Sequence, residues 1–278
     1  MLPFGRFWQM KCYVVDAFSD KVFGGNPAAV CILQEKWLSE RIMQNMAKEH
    51  QLAETAFVLK TNEGYHIRWL TPGGEIDLCG HATLASAFVV MNFIDSTLQE
   101  ISFESKSGIL KVRKIADMYE LDFPSIASAK LPLTQELKLQ IQEALGFAPL
   151  EVYLGRDLIC ICENEEQVES CVPNLQKVES LQGLLCHISA KGTKYDCVSR
   201  TFAPKCDVSE DFVCGSGHCQ LVPIWSQKLA KSEIIAFQAS SRTGVLYCEN
   251  QGQRVKLKGK AVLYSINEIC EENLAKVL

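Results

Sequence analysis

No stretch of this chain is long and apolar enough to cross a bilayer as a helix. The uncharged, mostly apolar run Ala82–Ile94 has 13 residues, against about 20 for a membrane-spanning helix. It suits a helix buried inside a domain. The 13 cysteines contain no Cys-x-x-Cys pair, so the usual zinc-ribbon spacing is absent. Excess positive charge is missing too. Lys and Arg number 28 against 33 Asp and Glu, a net charge of −5. Nucleic acid is therefore not an expected partner, and neither is a membrane. The opening stretch, Met1 to Met10, has neither a long apolar core nor a small-residue cleavage site, and it reads as no signal peptide. Many cysteines without an export signal predict a reducing cytoplasm. A hydrophobic content of 47% with 22% charged residues is ordinary for a globular protein.

What the chain does have is a repeat. Arg68-Trp69-Leu70-Thr71-Pro72 precedes Cys79-Gly80, an apolar run and Lys106-Ser107-Gly108-Ile109-Leu110. Arg200-Thr201-Phe202-Ala203-Pro204 precedes Cys214-Gly215, a second apolar run and Arg242-Thr243-Gly244-Val245-Leu246. The three matches are spaced by 132, 135 and 136 residues. Two copies indicate a duplicated domain rather than a solenoid. The expected division is 1–125 and 126–278, with the final segment a candidate to return to the first half. Equivalent loops of two such halves are expected around one shared cleft.

Local patterns fill in the elements. Strands are expected at 11–16, 28–33, 55–59, 65–70, 101–115 and 119–123, with Gly24-Gly25-Asn26-Pro27 as a turn. Ser39 can cap a helix running to about His50. Residues 124–131 read as a linker. In the second half, helices are expected at 133–145, ended by Gly146, at 165–171, and after Gly215. Strands are expected at 158–162, 184–189, 196–202, 234–240, 244–249 and 255–257. Strands dominate, and each half has one central helix that is apolar nearly all round. Such a helix must be surrounded, and a curved, mostly antiparallel sheet wrapped around it is the natural solution. The fold class is α+β.

Each Cys-Gly falls where a loop meets a helix start. Helix starts carry unpaired N–H groups and a positive dipole end, so they attract anions. Gly80 and Gly215 would let the backbone approach a ligand closely, with His81 and His218 just beyond. Two facing starts could hold a small carboxylate-bearing molecule; each glycine could also simply ease a turn. Glu54 lies between a helix and a strand, where scaffolds present working side chains. In an apolar cleft its carboxyl would have a raised pKa and serve as base and then acid. A surface glutamate at a helix end is the plainer alternative. Asp211 could be a helix cap or a second acid/base group. Gly215-Ser216-Gly217 looks like part of a dinucleotide loop, but residue 220 is Gln, so no nicotinamide or flavin is expected. The spacing of Cys214, His218 and Cys219 fits no standard metal site.

Taken together these residues resemble the phenazine-biosynthesis PhzF-like isomerase family from about residue 12 to about 265. Val14-Val15-Asp16-Ala17-Phe18 followed by Gly25-Asn26-Pro27-Ala28-Ala29-Val30 is similar to its opening. Glu54-Thr55-Ala56-Phe57-Val58 is similar to the segment bearing its catalytic glutamate. Asp77-Leu78-Cys79-Gly80-His81-Ala82-Thr83-Leu84-Ala85 resembles its first helix start, and Ser216 with the helix to Trp225 resembles the second. The resemblance implies a diaminopimelate epimerase-like fold, two pseudo-symmetric domains each with a β-barrel around a central helix. It also implies a homodimer, and isomerisation without metal or organic cofactor. By position, Glu54 would be the proton shuttle, with His81 and Asp211 assisting. Gly80, Gly215 and Ser216 would supply backbone and hydroxyl contacts, and Asn26 would touch substrate.

The chain departs from the family at one loop, where Phe212 replaces Pro, Cys214 replaces Thr and Gly217 replaces Ala. Cys79 and Cys214 then stand where diaminopimelate epimerase carries its paired thiols. The leading expectation is an isomerase that shifts a proton on a small carboxylate-bearing metabolite through Glu54. The alternatives are a two-thiol racemase or epimerase using Cys79 and Cys214, and a catalytically silent member that only binds a metabolite or protein.

Overall fold

The computed structural model describes residues 9–270; the stretch read for a signal peptide lies almost wholly outside them. The first half contains β1 (Gln9–Ala17), β2 (Asn26–Leu33), α1 (Glu40–His50), β3 (Glu54–Thr61), β4 (Gly64–Thr71), β5 (Gly74–Ile76), α2 (Gly80–Val89), β6 (Glu100–Ser105), β7 (Gly108–Ile115) and β8 (Met118–Pro124). After it come β9 (Ala129–Leu131), α3 (Gln135–Leu145), β10 (Glu151–Leu154), β11 (Leu158–Ile161), α4 (Glu165–Glu169), α5 (Leu175–Ser180), β12 (Cys186–Lys191) and β13 (Cys197–Ala203). The chain continues through β14 (Val208–Asp211), α6 (Gly215–Leu229), β15 (Glu233–Gln238), β16 (Gly244–Asn250), β17 (Arg254–Gly259) and β18 (Ala261–Cys270).

The duplication is written into the strand order. From neighbour to neighbour the sheet runs β18-β1-β2-β3-β4-β6-β7-β8, crosses to the other half, and continues β17-β16-β15-β13-β12-β11-β10-β9. Read outward from the β8–β17 pair, the two arms correspond strand for strand. Their parallel pairs correspond as well, β2–β3 and β4–β6 in one arm and β11–β12 and β13–β15 in the other. The halves also exchange their last strands. β18 pairs with β1 of the first half, and β9, which follows the first half, pairs with β10 of the second.

Each arm curls around its apolar helix. α2 packs against β1, β2, β3 and β8, and α6 against β15, β16 and β17. In α2 every residue but Phe88 is buried, which explains a helix with no polar face. A π-turn, Val90–Ile94, extends it. α6 holds Pro223 in its interior. Proline offers no N–H to the carbonyl four residues back, and here Ile126 N–H donates to that Cys219 carbonyl instead, at 3.1 Å. The segment after β8 is thereby tied to α6. α1 packs on the opposite face of the first arm, against β3 and β4, with Ser39 Oγ capping it by accepting from Ile42 N–H.

Several expectations need correction. Residues 101–115 are two strands broken at Lys106–Ser107, where Gly108 has φ +87°. The linker at 124–131 ends in the short β9. The helix expected over 165–171 ends at Glu169. β5, β10, β14, β18 and α5 had no clear signal because they are short, or in β18 because polar and apolar residues do not alternate cleanly.

Candidate active site

The repeated arginines set up the site. Arg68 Nε donates to Glu75 at 2.7 Å, and Arg200 Nε donates to Glu210 at 2.7 Å. Each fork pins a short strand, β5 or β14, just before a Cys-Gly. The next residues, Ile76 and Asp211, then enter the same cleft. Gly80 and Gly215 open α2 and α6 and pack backbone to backbone: a Cβ built on either would lie 2.9 Å from the other's Cα. Only glycine permits this approach. Both glycines line one cleft shared by the two helix starts.

Glu54, the first residue of β3, and His81, the second of α2, meet at this wall. Glu54 Oε2 lies 3.0 Å from His81 Nε2. Neither atom has a well-aligned hydrogen-bond partner, so the carboxylate retains a lone pair for another proton. His81 Nδ1 is 3.0 Å from Asn26 Nδ2 and 3.6 Å from Cys79 Sγ. Asn26 Nδ2 also lies 2.6 Å from Asp211 Oδ1 and 3.2 Å from the Val213 carbonyl. Two oxygen acceptors fix the orientation of this amide. Both of its N–H bonds are taken by these oxygens, so the contact with His81 Nδ1 positions the ring without fixing its protonation.

The electrostatics follow from burial and neighbours. Burial opposes charge on His81, but the adjacent Cys79 sulfur and Glu54 carboxylate outweigh it and hold its pKa well above the usual imidazole value. Cys79 itself is pushed up to about 11 by burial and by Glu54. It is a neutral thiol at pH 7, so the attraction on His81 rests on Glu54. Burial also raises Asp211; His81 opposes that shift and Glu54 adds to it.

Arg156 is a contributor that sequence reading missed. It follows β10 and lines the cleft. Its Nη2 donates to Asp157 Oδ2 at 2.6 Å and to Ser216 Oγ at 2.8 Å. Buried Asp157 is also 3.0 Å from His187 Nε2, and His187 Nδ1 is 2.9 Å from Thr201 Oγ1. Arg156-Asp157 stands alone in sequence with no spacing to mark it, which is why pattern reading passed it by.

Two expected site residues sit elsewhere. Asn26 is fully buried behind the wall and does not line the cleft; it braces His81 and Asp211 rather than touching a ligand. Cys214 is likewise absent from the lining, whereas Cys79 is present. Cys214 caps α6, its Sγ accepting from Gly217 N–H at 3.3 Å, so Asp211 is not the cap. A helix start favours an acidic thiol, but neither cysteine is one. Burial and Asp211 push Cys214 well above its usual value, and burial outweighs the helix dipole at both cysteines. Cys214, His218 and Cys219 do not converge on an ion among the described residues, whereas Glu54, Cys79 and His81 present ligand atoms within 4.8 Å of one another.

The duplication makes the asymmetry of the site legible. Arg68 stands opposite Phe57 and Arg200 opposite Ile188. Counting back three residues on each strand, Glu54 corresponds to Leu185, and both line the cleft. Asp211 corresponds to Ile76, and His81 to Ser216. Glu54, Asp211 and His81 therefore have no titratable counterparts across the pseudo-dyad.

A two-armed sheet around paired helices, with Glu54, His81 and Asp211 gathered at one cleft, defines an epimerase-like fold. Residues 15–266 match the phenazine biosynthesis-like protein family. Over 262 residues the chain is 42% identical to a protein of Pseudomonas aeruginosa called an uncharacterized isomerase, covering 94% of this chain and 98% of that one. It is 37% identical to a phenazine biosynthesis-like domain-containing protein of Bos taurus, covering 92% and 97%. The crystal structure of a PhzF family protein of Enterococcus faecalis superposes with a TM-score of 0.89 at 44% identity, covering 94% and 99%. A predicted epimerase from Pseudomonas aeruginosa shares the fold, with a TM-score of 0.73 at 16% identity and coverage of 94% and 99%. The chain belongs to the phenazine biosynthesis-like, or PhzF-like, isomerase family.

Proposed function

We propose that the chain is an isomerase that moves a proton between carbons of a small carboxylate-bearing metabolite, with Glu54 as the acid/base group and no cofactor. The observation that carries this reading is the placement of Glu54 Oε2. It lies 3.0 Å from His81 Nε2, unaligned for a hydrogen bond, on the wall of the cleft formed by the two helix starts. The substrate carboxylate sits against the N–H groups at Gly80 and Gly215, with Ser216 and Arg156 beside it. Glu54 takes a proton from carbon. The C–H electron pair spreads into the conjugated system, where the helix starts stabilise the developing negative charge. Glu54 then returns the proton to a different carbon. His81 stands beside Glu54 and holds its carboxylate in place at the wall of the cleft. Asp211, raised by burial and held by Asn26, is the second proton-carrying group at the cleft.

Leu185 opposite Glu54 supports one shuttle rather than two symmetric bases. A thiol pair is disfavoured because Cys214 does not reach the cleft and both thiols are neutral at pH 7. The test is Glu54→Gln, which keeps shape but cannot accept a proton. Loss of turnover by about 10²–10⁴-fold with the native fold retained by circular dichroism is expected. Near-normal turnover would remove Glu54 from the mechanism.

A further inference from the structure

A second convergent set of ligands lies on the other face of the first arm. Cys12 on β1 and Cys31 on β2 stand directly opposite each other in the antiparallel pair. Their neighbours Tyr13, Val15 and Val30 point to the α2 side, whereas Cys12 and Cys31 share a core with Met43 and Met46 of α1. His50, the last residue of α1, closes the group. Its Nε2 is 3.8 Å from Cys12 Sγ, and its Nδ1 is 2.9 Å from Thr55 Oγ1. The two sulfurs and the imidazole nitrogen all lie within 4.8 Å of one another.

We propose that Cys12, Cys31 and His50 bind a zinc ion, at a site separate from the catalytic cleft. Tetrahedral zinc, with bonds of about 2.3 Å to sulfur and about 2.0–2.1 Å to nitrogen, places S and N about 3.6 Å apart and two sulfurs about 3.8 Å apart. The Cys12–His50 separation already fits, and the second sulfur is within reach of a small side-chain rotation. Thr55 engages Nδ1 and leaves Nε2 to face the thiols, the usual outer-sphere arrangement for a ligating histidine. Cys12 and Cys31 are buried while His50 is half-buried, which gives the ion a way in and leaves its fourth position to water. Binding replaces the S–H bond of each cysteine with a Zn–S bond and releases the protons to solvent. An ion here ties the end of α1 to the β1–β2 pair and, through Thr55, to the residue beside Glu54.

The test is anaerobic titration of the reduced, metal-free full chain with Co²⁺. One equivalent is expected to give sulfur-to-cobalt absorption with tetrahedral visible bands, displaced by Zn²⁺. Cys12→Ala and Cys31→Ala should each lose the corresponding sulfur absorption, and Cys79→Ala should keep all of it. Thr55→Val should weaken binding about tenfold or more. No sulfur-to-cobalt absorption in the native chain overturns the proposal. So does absorption lost in Cys79→Ala, which would put the ion at Glu54, Cys79 and His81. Should either buried-cysteine variant fail to fold by circular dichroism, the half-exposed His50→Ala decides: affinity within a factor of two of the native chain overturns the site.

Discussion

Gly80→Ala is the sharpest probe of how the halves meet. An alanine Cβ at residue 80 would lie 2.9 Å from Gly215 Cα and 3.5 Å from the Gly215 carbonyl carbon. The obstruction is backbone, so it cannot rotate away. Alanine in a helix gains up to about 1 kcal/mol over glycine, and forcing an extra methyl into a packed contact costs about 1–3 kcal/mol. The net expectation is a loss of about 1–2 kcal/mol, read as a fall of roughly 2–8 °C in Tm. Function should suffer more, because the added methyl prises apart the two helix starts that hold the carboxylate. Thermal unfolding and calorimetric binding of a small carboxylate measure the two effects. Gly215→Ala should behave alike, and the double variant should cost less than the sum because both methyls relieve one contact. A Gly80→Ala protein more stable than the parent, with unchanged anion binding, would refute the contact between the helix starts.

Cys79→Ser and Cys214→Ser should each keep most turnover, and Cys214→Ser should lose little or no stability because serine is a strong helix cap; inactivity of both would restore the thiol-pair mechanism. Asp157→Asn should cost about 3–5 kcal/mol in denaturant unfolding by leaving the Arg156 charge unpaired beside buried His187. His187 and Arg156 hold Asp157 below the usual carboxylate range despite burial. Its contribution is therefore full above about pH 4 and fades as pH falls through the lowered folded value, so the variant should show a flatter acid limb. His81 is raised, so its stabilising pair with Glu54 is fully present below the unfolded value near 6.5 and is lost only as pH rises through the higher folded value. The alkaline limb of activity should accordingly lie above 6.5 and disappear in His81→Asn, and a limb centred at 6.5 or below would contradict this.

The repeated motifs made the fold legible because each copy does the same physical work. The arginine forks, the glycine contact and the all-apolar helices obey local rules that survive in sequence. Glu54, His81 and Asp211 could be read from their motifs and indeed gather at one cleft. The misses are of another kind. Arg156 joins the site through tertiary placement, with its partners Asp157, His187 and Ser216 scattered along the second half. Cys214 sits next to cleft-lining Gly215 and Asn26 lies within a recognisable motif, but the direction in which a side chain points is set by packing. The dipole of a helix start suggested acidic thiols; burial, which sequence does not display, overrides it at both.

The most direct measurement of the central claim is the position of deuterium after turnover in D2O. Small unsaturated carboxylates are incubated with the native chain and with Glu54→Gln, and the products are resolved by NMR. The account predicts a hydrogen newly placed on a carbon other than the one that lost its proton, as deuterium where Glu54 exchanges with solvent before returning it, formed by the native chain and slowed about 10²–10⁴-fold in Glu54→Gln. Deuterium returned to the original carbon with inverted configuration, at a rate Glu54→Gln leaves unchanged, would contradict it.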